Sequence, residues 1–177
     1  MSDMTPPDDD PRVHAARLIA ALNFPDDPEM ADTPRRLVEW LSRFTSSGGP
    51  PSLSLCATRS TAPVVMRGVP FHSVCAHHLL PFFGTADIAY RPAGQLAGLG
   101  SLSRAVTHFA ARPQVQERLG EQVAEHLAEA LKPQCLVVRL TARQLCVELT
   151  QGMQPTVVTE ATVGTPDPHL LSLLEPR

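Results

Sequence analysis

Two thiols and two imidazoles are spaced so that they could share one metal ion. Cys75-Ala76-His77-His78 packs three candidate donors into a tetrapeptide, and Cys146 follows much later in the chain. Three ligands from this set would hold a zinc ion and leave its fourth position open. Closed structural zinc sites use four protein ligands, whereas catalytic sites keep three and a water that the ion activates for hydrolysis near neutral pH. The spacing matches neither a finger nor a ribbon, because paired Cys-x-x-Cys motifs and a His-x-x-x-His are absent from the sequence. The competing reading is two buried cysteines beside a solvated histidine pair, since free cysteine commonly packs as a small hydrophobe. Spacing alone leaves both readings open.

The elements that must position these donors follow from periodicity. Residues 1–12, acidic and proline-rich, read as a disordered tail. Residues 13–50 read as a helical region and linker. Val13, Leu18, Ile19 and Leu22 recur at helical spacing until Pro25, and Asp32-Thr33-Pro34 opens a second helix with the apolar stripe Leu37, Val38, Trp40, Leu41 and Phe44. Residues 51–165 read as the main domain, and 166–177 as a C-terminal tail. In the main domain, strands are predicted over Val64–Met66 and Phe71 leading into Cys75, over Phe82–Tyr90, Cys135–Leu140 and Leu145–Leu149, and around Thr156–Val163. A turn at Gly98-Leu99-Gly100 precedes a helix from Leu102 to Ala110. Pro113 opens another helix, in which Val115, Leu119, Val123, Leu127 and Leu131 fall at steps of four. Strands and helices do not alternate strictly, which favours α+β over a doubly wound sheet.

The 177 residues carry a net charge of −3 and 43% hydrophobic residues, the balance of an ordinary single domain. No basic stripe points to nucleic acid, and no apolar run approaches membrane-span length. Four cysteines without a secretory signal point to a reducing cytoplasm and against a disulfide framework.

Phe71-His72-Ser73-Val74-Cys75-Ala76-His77-His78-Leu79-Leu80-Pro81-Phe82 resembles the zinc motif of the GTP cyclohydrolase I family. Asp32-Thr33-Pro34-Arg35-Arg36 is similar to that family's D-T-P-x-R helix, Gly98-Leu99 through Arg104 to its G-L-S-K-x-x-R segment, and Gln114-Val115-Gln116-Glu117-Arg118-Leu119 to its Q-V-Q-E-R-L signature. The similarity runs from about residue 15 to 165. It implies a tunnelling fold with an antiparallel sheet, helices on one face and an N-terminal helical extension. It also implies a toroidal homo-oligomer, usually a decamer, with active sites between subunits and a purine nucleotide as the small-molecule partner. Zn2+ is the implied cofactor, with Cys75, His78 and Cys146 as its ligands and His77 as a polar group beside the substrate. Gln116 and Glu117 become the purine-recognition pair, because a carboxylate can accept hydrogen bonds from guanine's N1–H and 2-amino group. Arg67 and Arg104 occupy basic positions implied to face phosphate. The implied chemistry is water attack at C8 of the imidazole ring, opening to a formamide, release of formate, and reclosure to dihydroneopterin triphosphate.

The sequence departs from the family's pattern at defined points. The family's general-acid histidine in H-M-C is Gln144 here, an amide that hydrogen-bonds but exchanges no proton near pH 7. The glutamate of C-E-H-H is Ala76, the lysine of G-L-S-K is Ser101 and its serine Gly100. Thr150 and Gln151 stand where an arginine is expected after Cys146. Losing two of about four phosphate-facing cations weakens triphosphate binding by several kcal/mol at ~1.5–3 kcal/mol per charged hydrogen bond. The expectation is therefore a zinc-dependent cyclohydrolase-like enzyme for a purine substrate bearing less phosphate than GTP. The alternatives are standard GTP cyclohydrolase I, a non-catalytic zinc-binding scaffold or regulatory paralogue, and, ranked last, the nitrile reductase branch of the fold. His72 is expected to approach the pocket more readily than His108 or His126.

Overall fold

The computed structural model describes residues 9–45 and 48–175. Most of the stretch read as a disordered tail, residues 1–8, lies outside them, as do Ser46 and Ser47 of the linker. The chain divides into two compact units between Thr45 and Ser46.

In the first unit, α1 (Pro11–Ala21) begins inside the stretch read as tail. Asp10 caps it by accepting from the Arg12 backbone N–H at 2.8 Å, and Pro11 fills the first turn, where its missing N–H costs nothing. A 3-10 turn over Pro28–Asp32 leads into α2 (Thr33–Ser42). Asp32 binds the guanidinium groups of Arg35 and Arg36. Leu18, Leu37, Val38 and Leu41 line an apolar groove between the two helices, and Trp40 meets Phe44 edge-on at 5.6 Å.

The second unit is built on a five-stranded sheet. Its strands are β2 (Val64–Cys75), β3 (Pro81–Arg91), β5 (Pro113–Gln114), β6 (Cys135–Gln144) and β7 (Thr156–Gly164), in the order β5-β2-β3-β6-β7. All neighbours are antiparallel except the short β5–β2 pair. A separate ribbon pairs β1 (Leu55–Ala57) with β4 (Gln95–Ala97). The long helices α3 (Leu99–Ala110) and α4 (Gln116–Leu131) cover one face. Period-two alternation sends Ala86, Ile88 and Tyr90 of β3 and Leu136, Val138 and Leu140 of β6 into the core beneath them. The intervening residues Ala89, Cys135 and Val137 form a smaller cluster on the other face with Leu170 and Leu174. Those leucines come from the C-terminal stretch, whose helix α6 (Pro168–Ser172) is capped by Asp167.

Three local expectations are corrected. Leu145–Leu149 is not a strand but part of α5 (Leu145–Gln151), closed by Gly152 in the left-handed region at φ 66°. A short apolar run carries no periodicity that separates strand from helix. Pro113 does not open a helix: Pro113–Gln114 pairs in parallel with Val74–Cys75, and α4 starts at Gln116. Leu99 and Gly100, expected in a turn, already belong to α3. Among the described residues no helix is long and apolar enough to cross a membrane.

Candidate metal centre

Register alone gathers the candidate ligands at one end of the sheet. Cys75 ends β2, Val74 pairs with Pro81 at the start of β3, and Phe82 pairs with Gln144 at the end of β6. Cys146 follows two residues later, in the first turn of α5. Between β2 and β3 the chain reverses tightly, with Leu79 N–H donating to Cys75 O and Cys75 N–H to Leu80 O, both at 2.8 Å. Leu79 takes the left-handed conformation at φ 54° to close this turn. The turn lifts His77 and His78 to the surface above a buried Cys75.

The sulfurs of Cys75 and Cys146 and a ring nitrogen of His78 all lie within 4.8 Å of one another. Cys75 Sγ is 3.7 Å from His78 Nδ1 and 3.6 Å from His77 Nδ1. A tetrahedral zinc with Zn–S about 2.3 Å and Zn–N about 2.0–2.1 Å sets adjacent donors roughly 3.5–3.8 Å apart. The donor types suit zinc, and the 3.7 Å between Cys75 Sγ and His78 Nδ1 falls in that range. Burial pushes the Cys146 thiol up, and the neighbouring Cys75 sulfur adds to that. A dication held by the two sulfurs would favour their thiolate forms.

Gln116 and Glu117, expected as the purine-recognition pair, lie beside this end of the sheet, with Gln116 buried and its amide used within the chain. Gln116 is the first residue of α4 and only 3% exposed. Its Nε2 donates to Leu140 O at 3.1 Å and Val157 O at 3.0 Å, and its Oε1 accepts from Gln144 Nε2 at 2.7 Å. Glu117 follows on the exposed side of the same first turn, where the helix N-terminus favours an anionic side chain.

Other expected residues lie elsewhere. Arg67 stands eight residues before Cys75 on β2, roughly 25 Å away at ~3.3 Å per residue. Its guanidinium donates to the carbonyls of Leu173 and Glu175. Within one chain it does not meet the metal ligands. Arg104, exposed on α3, donates to Ser101 Oγ at 3.0 Å, and the same hydroxyl accepts from Ser54 N–H at 3.0 Å. Ser101 is buried, so the position where the resemblance implies a lysine holds a hydroxyl that ties a loop. His72, three residues from Cys75, faces the opposite side of the sheet and stacks on Phe83 at 6.1 Å, contrary to the expectation that it approaches the pocket. His108 bonds Arg112 at 2.9 Å, and His126 bonds Pro51 O at 3.1 Å.

One contributor has no role in the sequence reading. Gln114 is fully buried, and its backbone carbonyl accepts from Ala76 N–H at 2.8 Å, which pins the ligand turn. Its side chain donates to Phe109 O and Gln122 and accepts from Arg118. The signal was available, since Gln114 opens the same hexapeptide that contains Gln116 and Glu117.

The family model for GTP cyclohydrolase I matches residues 13–169. The GTP cyclohydrolase 1 of Streptococcus gordonii is 39% identical over 145 residues, covering 79% of this chain and 78% of the relative. The enzyme of the same name from Lactiplantibacillus plantarum is 35% identical over 156 residues, covering 84% and 82%. Among solved structures, an archaeosine synthase QueF-like protein in its apo form matches with a TM-score of 0.49 and 20% identity, over 61% of this chain and all of that one. With nearly its whole length matched, the α+β tunnelling-fold chain described above belongs to the GTP cyclohydrolase I family.

Proposed function

We propose that this chain is a zinc-dependent cyclohydrolase that opens the imidazole ring of a guanine-type substrate by water addition at C8. The observation that carries the reading is the convergence of Cys75, His78 and Cys146 within 4.8 Å at the sheet end where the first turn of α4 exposes Glu117. Zinc, when bound, supplies a Lewis acid and an activated water. Cys75, His78 and Cys146 would hold it. One water adds at C8 and a ring C–N bond breaks to give a formamide; a second water releases formate. His77, exposed next to the ligands, is the ionisable side chain placed to exchange a proton with the departing ring nitrogen, since Gln144 cannot. Glu117 accepts from guanine N1–H and the 2-amino group.

The reading extends to a substrate with less phosphate than GTP. Its support is Ser101, buried and bonded to Ser54 and Arg104 where a lysine would face phosphate, and Thr150, whose hydroxyl is turned onto Cys146 O at 2.5 Å. We place the enzyme in the cytoplasm as a homo-oligomer whose sites lie between subunits, an arrangement in which Arg67 of one copy serves a neighbour's site. Its cysteines are free thiols, as a reducing compartment requires. The test is mass spectrometry on GTP, GMP, guanosine and guanine with zinc-loaded protein. Formamide or formate from GMP or guanosine at rates above those from GTP supports the reading. Neopterin triphosphate from GTP at ordinary enzyme rates overturns the phosphate argument, and no product from any of the four overturns the ring-opening assignment.

A further inference from the structure

The side chains of Gln116 and Gln144 are joined, and the joint can have only one polarity. Backbone carbonyls only accept, so the end of Gln116 that lies 3.1 Å from Leu140 O and 3.0 Å from Val157 O must be its NH2, with both hydrogens used. Its oxygen must then face Gln144, which must donate across the 2.7 Å contact. Nitrogen and oxygen are thereby assigned in both amides by the backbone around them. At 3% exposure, Gln116 is largely shielded from solvent, and an unmatched buried oxygen is costly. This one amide fastens the first turn of α4 to β6 and β7, and Glu117 is the next residue.

We propose that Gln144 is a positioning residue for base recognition: by donating to Gln116 it fixes the first turn of α4, and with it the carboxylate of Glu117, against the end of the sheet that carries the metal ligands. The position is then defined by donation rather than by acid strength. An imidazole N–H at residue 144 satisfies Gln116 Oε1 as the amide does. A carboxylate sets oxygen against oxygen, and Gln116 cannot turn over without giving up two backbone carbonyls. This inference rests on the reading of Glu117 as the guanine-binding carboxylate.

The experiment separates the two. Binding of GTP against ITP, and of GMP against IMP, is measured by calorimetry on zinc-loaded protein, with zinc per chain as the control for an intact metal centre. Hypoxanthine lacks the 2-amino group, so the guanine preference reports the Glu117 contact, and a general loss of folded protein does not move the ratio. Wild type is expected to prefer guanine by roughly 10-fold or more, the worth of one charge-assisted hydrogen bond. Gln144→Glu and Gln144→Ala are expected to reduce the preference to about 3-fold or less, and Gln144→His to keep it. Wild-type preference retained in both Gln144→Glu and Gln144→Ala overturns the inference, and does so alone if Glu117→Gln abolishes the preference. A wild type without preference removes the Glu117 reading and the inference together. Should Gln144→Glu not fold, Gln144→Ala against Gln144→His provides the same comparison.

Discussion

Cys146 shows how far single residues carry the functional reading. Its thiol is pushed up by burial and by the neighbouring sulfur of Cys75. The zinc-loaded protein is expected to carry about one zinc per chain, and Cys146→Ser to fall to less than about a tenth of that by elemental analysis, since one of only three ligands is gone. Retention of full zinc by that variant would remove the site. Glu117→Gln is expected to raise KM for a guanine substrate roughly 10- to 100-fold, because one charge-assisted hydrogen bond contributes ~1.5–3 kcal/mol; an unchanged KM would return Glu117 to the solvated helix surface. The ligand residues were legible because their types are rare and their spacing tight. The Gln144–Gln116 joint was not, because a bond between residues 28 apart leaves no periodic trace. Arg67 was placed by its position in a pattern, but its partners Leu173 and Glu175 lie more than a hundred residues away.

The elements are held together through close backbone contact and a few part-buried ties. Gly84 on β3 lies opposite Ala142, and a Cβ there would meet Thr141 O at 1.9 Å and Ala142 Cα at 2.7 Å. Both are backbone atoms that cannot swing aside. Gly84→Ala is expected to destabilise by at least ~1–3 kcal/mol in chemical denaturation, the usual cost of overpacking; a neutral result would mean β3 and β6 separate more easily than this register implies. The C-terminal helix is tied down by Asp167, which caps it and pairs with Arg91 at 2.7 Å. The Arg91 guanidinium, with the helix N–H groups, holds the Asp167 carboxyl below the usual carboxylate range. A carboxyl depressed in the folded state contributes stability above its unfolded pKa and loses it as pH falls through the folded value. Stability is therefore expected to decline on the acid side below the ordinary carboxylate range, and Asp167→Asn to flatten that limb in melting curves taken across pH. An unchanged limb would mean other carboxyls govern it. Strongly alternating strands such as β3 and the apolar period of α4 were readable from sequence, whereas α5 and β5 were not. Each is too short to show a period, and tertiary contact decides its conformation.

At the scale of the whole molecule, the five-stranded sheet leaves backbone to be satisfied. Among the described residues β7 pairs only with β6, and β5 covers β2 at just Val74 and Cys75, so two long strand edges stand open. Natural proteins rarely leave such edges bare, and pairing with further copies of the chain is the simplest way to close them. Sedimentation at micromolar concentration is expected to show an assembly several times the 19.1 kDa chain; a stable monomer would contradict the proposal that sites form between subunits. Family-level architecture was legible because several motifs agree in order, while assembly depends on surfaces that one chain's sequence does not pattern.

The most direct measurement follows the carbon at C8. A guanine nucleotide isotopically labelled at that atom is incubated with the zinc-loaded protein and followed by NMR. The expected result is label appearing first as formamide and then as free formate, with neither formed by Cys146→Ser. Label remaining in an intact purine ring, with zinc bound and the protein folded, would contradict the assignment.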